Sequence, residues 1–67
     1  MVKTKRIAKG RYEMSCGDVV MIVAREPYYG HWFVRHLPWV GSPPYSGPHY
    51  TKREACEAAY TYLQEYA

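Results

Sequence analysis

Cysteines are scarce in this chain of 67 residues, which contains two of them, Cys16 and Cys56, far apart in the sequence. Neither belongs to a C-x-x-C motif, so the sequence predicts neither a zinc ribbon nor a thioredoxin-like redox site. A cytosolic protein with two free and buried thiols is the interpretation that this spacing favours. The alternative is a single disulfide that ties the first hairpin to the C-terminal helix.

Long hydrophobic runs are also absent, since the longest covers only residues 19–24. A membrane-spanning helix needs about 20 apolar residues, so the sequence predicts no membrane partner. The basic start of the chain is not followed by the apolar segment of a signal peptide. We therefore expect a cytoplasmic location.

Signatures of catalysis are missing as well. None of the three histidines lies at metal-ligand spacing with a cysteine, and Ser15 and Cys16 belong to no recognisable nucleophile motif. The six acidic residues are scattered, and no glycine-rich loop could hold a phosphate. We therefore expect no enzyme activity, no metal and no cofactor.

Positive charge is concentrated at the N-terminus. Residues 1–10 form a basic N-terminal arm without acidic residues, and the body that follows carries slightly more acids than bases. A basic arm on a nearly neutral body is typical of contact with nucleic acid, although a solvated, frayed terminus has the same composition. The candidate nucleic-acid-binding residues are Lys3, Lys5, Arg6, Lys9, Arg11, Arg35, Lys52 and Arg53.

Aromatic residues are abundant, with eight tyrosines, two tryptophans and one phenylalanine. A core this small cannot hold all of these rings, and tyrosine is common at binding surfaces. This excess favours an interaction protein over an enzyme. The candidate protein-binding residues are Tyr28, Tyr29, Trp39 and Tyr45.

The fold class follows from local patterns. Thr51 and Glu54 form a capping box that begins a helix, and apolar residues recur at helical spacing to about Tyr66. Residues 11–15, 19–24 and 32–37 have strand composition and are joined by short turns. We therefore expect an α+β fold, a three-stranded antiparallel β-meander packed against one C-terminal α-helix. The domain covers residues 11–67, with a Pro- and aromatic-rich loop at 38–50.

The middle strand of this meander, residues 19–24, is apolar at every position, which predicts that both faces of the sheet are covered. One helix can cover only one face. The other would be covered by segment 38–50, by a second copy of the chain in a homodimer, or by a partner.

The segment from Trp32 to Tyr66, with its Tyr-Thr-Lys-Arg-Glu-Ala helix start, resembles the AP2-like, strand-strand-strand-helix arm-binding domains of tyrosine recombinases. That resemblance implies a three-stranded sheet lying in the DNA major groove. In size and style the chain also resembles short orphan bacteriophage proteins, many of which bind one host protein.

Two hypotheses follow. The first is a small non-enzymatic module, possibly phage-encoded, that binds a host protein through exposed aromatic residues. The second is a DNA-binding module that uses the basic arm and the sheet.

Overall fold

A computed structural model of the chain describes residues 1–36 and 46–66. Five strands form one antiparallel sheet in sequence order: β1 (Lys3–Ala8), β2 (Arg11–Cys16), β3 (Val19–Arg25), β4 (Trp32–His36) and β5 (Ser46–His49). One helix, α1 (Lys52–Tyr66), follows and packs against β2, β3, β4 and β5. The α+β class and the C-terminal helix are confirmed.

The prediction of three strands is wrong, because the sheet has five. Strands β2, β3 and β4 match the three predicted segments. Strand β1 lies within the predicted basic arm, and its side chains are all exposed, so no apolar alternation marks it. Strand β5 contains Gly47 and Pro48, which are rare in strands but tolerated at a sheet edge. It lies within the predicted loop 38–50, of which residues 37–45 are outside the described part of the chain.

Helix α1 begins as its sequence predicts. The backbone N–H of Glu54 donates to Thr51 Oγ1 at 3.2 Å, which satisfies one of the amides that a helix start leaves unpaired. Further along, Ala55, Ala59 and Leu63 are fully buried on one face. Their spacing of four residues places them in one stripe, which packs on the sheet.

The core lies between α1 and one face of the sheet. Met14 pairs with Met21, and Val23 pairs with Val34, so these side chains point to the same face. All four are buried in one cluster with the apolar stripe of α1. Directly paired residues share a face and successive residues alternate, so the register also defines the opposite face, here called the open face.

Ile22 belongs to the open face and yet is only 4 % exposed. Its neighbours across the strands are Glu13 on β2 and Arg35 on β4. The apolar composition of β3 is thus explained on one face by α1. For the open face, a cover by segment 38–50, a second copy or a partner stays a prediction.

Both cysteines are free, as the spacing predicts, although they are half-buried rather than buried. In the described part of the chain, no helix has both the length and the apolar character needed to span a membrane.

Candidate nucleic-acid interface

The open face carries a group of exposed cations. The register sets Lys5 opposite Glu13, Glu13 opposite Ile22, and Ile22 opposite Arg35, in one row across four strands. In the flanking rows, Lys3 lies opposite Ser15 and Arg11 lies opposite Ala24. The exposed cations of this face are Lys3, Lys5, Arg11 and Arg35.

Charge on the open face is strongly unbalanced. Among the paired residues of β1 to β4, Glu13 is the acid on this face, and it stands between the cations of the edge strand and Arg35. The middle of the face is occupied by the apolar side chains of Val20, Ile22 and Ala24. The arrangement therefore has cations on β1, β2 and β4, with the apolar side chains of β3 between them.

A second group of cations lies at the other side of the sheet. The side chains of Arg6, Lys9, Arg25 and Lys52 surround a cleft of about 630 Å³, which is also lined by Gly10, Tyr12, Pro27 and Trp32. We call it the cationic cleft. It lies on the helix side, because Arg6 pairs with Tyr12, and Tyr12 pairs with the buried Val23. No acidic residue is among the described residues that line it.

Several local contacts build the cationic cleft. The backbone N–H of Arg25 donates to the carbonyl of Gly10 at 2.9 Å, which ties the end of β3 to the turn between β1 and β2. Gly30 lies so close to the Arg25 guanidinium that a Cβ atom there would stand 3.0 Å from Nη2. The absence of a side chain at Gly30 thus leaves room for the guanidinium.

The aromatic wall of the cationic cleft is formed by Tyr12 and Trp32, whose ring centroids are 6.2 Å apart. Lys52, the first residue of α1, places its Nζ atom 4.1 Å from the centroid of the Tyr12 ring. This cation–π contact stabilises an ammonium group at the helix start, where the helix dipole disfavours positive charge.

The structure divides the eight predicted nucleic-acid-binding residues into three groups. Four lie on the open face, and Arg6, Lys9 and Lys52 line the cationic cleft. Arg53 lies in neither group, and its Nε atom donates to Glu57 Oε1 at 3.2 Å. Sequence analysis missed Arg25. Side chains alternate between the two faces along a strand, so Arg25, two positions after the buried Val23, lies on the helix side.

Exposed aromatic rings lie near the β3–β4 connection. Tyr28 is 90 % exposed and Tyr29 is 82 % exposed, and Tyr50, which sequence analysis missed, is 79 % exposed. The His31 ring lies between two of them, 6.2 Å from the Tyr29 ring and 5.3 Å from the Tyr50 ring. We call Tyr28, Tyr29, His31 and Tyr50 the aromatic patch. The other two predicted anchors, Trp39 and Tyr45, lie outside the described residues.

The carboxylate of Glu26 holds the loop that carries this patch. It accepts hydrogen bonds from the backbone N–H groups of Tyr28 at 2.8 Å and of Tyr29 at 2.6 Å. These bonds lower the pKa of Glu26 below its ordinary value of 4.5, and the bond from Tyr29 has the largest effect. The nearby His31 contributes in the same direction. Glu26, which lies in sequence between Arg25 and Pro27 of the cationic cleft, is thus engaged in its own loop.

The histidines, cysteines and acidic residues of the described chain are dispersed. Within residues 1–36 and 46–66, no three His, Cys, Asp or Glu side chains come together as metal ligands would. Ser46 Oγ and His49 Nε2 form a hydrogen bond of 2.6 Å within the edge strand β5. Partial burial raises the pKa of the Cys56 thiol, against a smaller opposing effect of Lys52.

No protein-family model, no curated protein and no solved structure matches this chain. The resemblance of the segment from Trp32 to Tyr66 to the arm-binding domains of tyrosine recombinases therefore stays a hypothesis.

Proposed function

We propose that this chain is a non-enzymatic nucleic-acid-binding module that holds the phosphate backbone of DNA on the open face of its sheet. The observation that carries the proposal is the strand register, which collects Lys3, Lys5, Arg11 and Arg35 on one face with Glu13 as the opposing acid. Contacts of lysine and arginine with phosphates supply most of the affinity of such proteins.

The spacing between cations of the open face is close to the width of the major groove. Lys5 on β1 and Arg35 on β4 are three strand spacings apart, which is about 14 Å at roughly 4.8 Å per spacing. The major groove is about 12 Å wide and admits a two-stranded β-ribbon, so a face of four strands would lie across the groove rather than enter it. Cations on β1 and β4 could therefore reach phosphates on both walls of the groove.

The centre of the open face would then lie over the groove. Val20 and Ala24 are apolar and half-buried, and apolar side chains contact the methyl group of thymine. With few hydrogen-bonding groups at the centre, we expect binding that depends on phosphates more than on base sequence.

The test is a titration of the protein into a labelled random DNA duplex at about 50 and about 200 mM salt. The variant Lys5→Gln should weaken binding and make the slope of log affinity against log salt shallower by about 0.9. The matched control is Arg53→Gln, which removes one charge from a residue that is paired with Glu57. No binding at the lower salt, or equal effects of the two variants, would refute the proposal.

A second candidate function is the capture of a protein partner through the aromatic patch. It is favoured by the exposure of Tyr28, Tyr29 and Tyr50, because large rings in contact with water are typical of binding surfaces. In a capture assay, the double variant Tyr28→Ala and Tyr29→Ala should lose the partner with an unchanged melting temperature. Tyr60→Ala, an exposed tyrosine on α1, is the control and should keep the partner.

A further inference from the structure

We propose that the cationic cleft binds single-stranded nucleic acid, with phosphates held by its four cations and an unpaired base packed against its aromatic wall. The inference rests on the proposed function only in the chemistry of the ligand. The cationic cleft and the open face are on opposite sides of the sheet, so each surface can be tested alone.

The positive charge of the cationic cleft favours an anionic ligand. Arg6, Lys9, Arg25 and Lys52 come from four different parts of the chain, namely β1, its turn, the end of β3 and the start of α1. Each is exposed. Four like charges around one space repel each other, and a ligand with two or more negative charges removes that repulsion.

The aromatic wall selects the kind of anion. Tyr12 and Trp32 are half-buried and line the same space as the four cations. An inorganic anion has no ring that could stack on these side chains. Stacking of an unpaired base on an aromatic side chain raises the affinity about ten- to a hundredfold for each base. Basic groups interleaved with aromatic rings are the arrangement that binds single strands.

The size of the cationic cleft suits a single nucleotide better than a duplex. Its volume of about 630 Å³ is that of a small-ligand site, which suits one nucleotide with its phosphate. A duplex keeps its bases stacked inside and could present only its phosphates. The Lys52 ammonium, which lies over the Tyr12 ring, has three N–H donors that can turn to a phosphate.

The experiment compares two charge-matched double variants against two probes, a labelled oligothymidine of about ten nucleotides and a random duplex. Arg6→Gln with Lys52→Gln alters the cationic cleft, and Lys3→Gln with Lys5→Gln alters the open face. All four residues are exposed, so both proteins should keep the fold. The first variant should lose about tenfold or more in affinity for oligothymidine, and the second should lose far less.

The two proposals fail separately in this design. One outcome is that neither variant changes the affinity for the duplex, while Arg6→Gln with Lys52→Gln still weakens the binding of oligothymidine. The open-face proposal then fails and the cleft proposal stands. If both variants weaken oligothymidine binding equally, the cleft proposal is overturned, because net charge alone then explains the binding.

Tryptophan fluorescence gives a second readout. In a Trp39→Phe protein, Trp32 is the remaining tryptophan. Oligothymidine should quench its emission, and inorganic phosphate at the same concentration of phosphate groups should neither quench it nor displace the oligonucleotide. Unchanged emission at saturating oligothymidine, or displacement by inorganic phosphate, would overturn the proposal and leave a simple anion site.

Discussion

Replacing Gly47 by alanine tests the edge strand β5, which the sequence does not predict. Gly47 has a φ of +131°, outside the region that residues with side chains readily adopt. A Cβ atom at this position would stand 2.7 Å from Phe33 Cδ1 and 3.0 Å from the carbonyl oxygen of Trp32. The Phe33 ring can turn aside, but the backbone carbonyl cannot move without disturbing β4.

Two costs add at this site. The unfavourable φ costs about 1–3 kcal/mol, and overpacking costs about 1–3 kcal/mol more. We therefore expect Gly47→Ala to lower the free energy of unfolding by roughly 2–6 kcal/mol. For a domain of this size, each kcal/mol lowers the melting temperature by about 4–8 °C.

Gly17→Ala is the matched control. Its φ of +61° is also positive, but a Cβ atom there would meet nothing within 4 Å. It should therefore cost only about 1–2 kcal/mol, the penalty of the left-handed backbone. Urea unfolding followed by circular dichroism measures both variants, with thermal melts alongside. Equal stability of the two variants would refute the close approach of β5 to Phe33.

Three further predictions concern the core, the loop and a thiol. Leu63→Ala should cost about 2–5 kcal/mol in urea unfolding, because Leu63 is fully buried, whereas the exposed Gln64→Ala should change stability by less than about 0.5 kcal/mol. The pKa of Glu26 is lowered in the folded protein. The hydrogen bonds that its carboxylate accepts from the loop therefore stabilise the loop fully above pH 4.5, and this stabilisation is lost as the pH falls through the lowered pKa. The amide chemical shift of Tyr29 should report this, and a midpoint at or above 4.5 would contradict it. Because the pKa of Cys56 is raised, less thiolate is present at pH 8 than in a denatured chain. Iodoacetamide should therefore modify Cys56 more slowly in the folded protein, in a variant whose other cysteine is serine, and equal rates would contradict this.

The predictions that succeeded rest on local patterns. The capping residues Thr51 and Glu54 are three positions apart, so their hydrogen bond depends only on the helix that they begin. The β-branched run of β3 and the alternation of β2 are equally local signals. Each of these elements therefore lies where the sequence predicts it.

The predictions that failed concern the edges of the sheet. Strand β1 is polar and basic from Lys3 to Arg6, all of its side chains are exposed, and backbone pairing with β2 orders it. Strand β5 contains Gly47 and Pro48, and its pairing with β4 is interrupted by an irregularity. Neither edge carries a periodic signal, since its order comes from the neighbouring strand.

The sequence alone determined the ingredients of this protein: its cations, its surplus of aromatic rings, one helix and three inner strands. Only the tertiary structure decided where those groups meet. Alternate residues of a strand point to opposite faces, so a slip of one residue would exchange the open face and the helix side. The register sends Lys5 to the open face and its neighbour Arg6 to the cationic cleft, where Arg25 and Lys52 arrive from distant parts of the chain. That division depends on pairing between strands, which composition and local spacing do not specify.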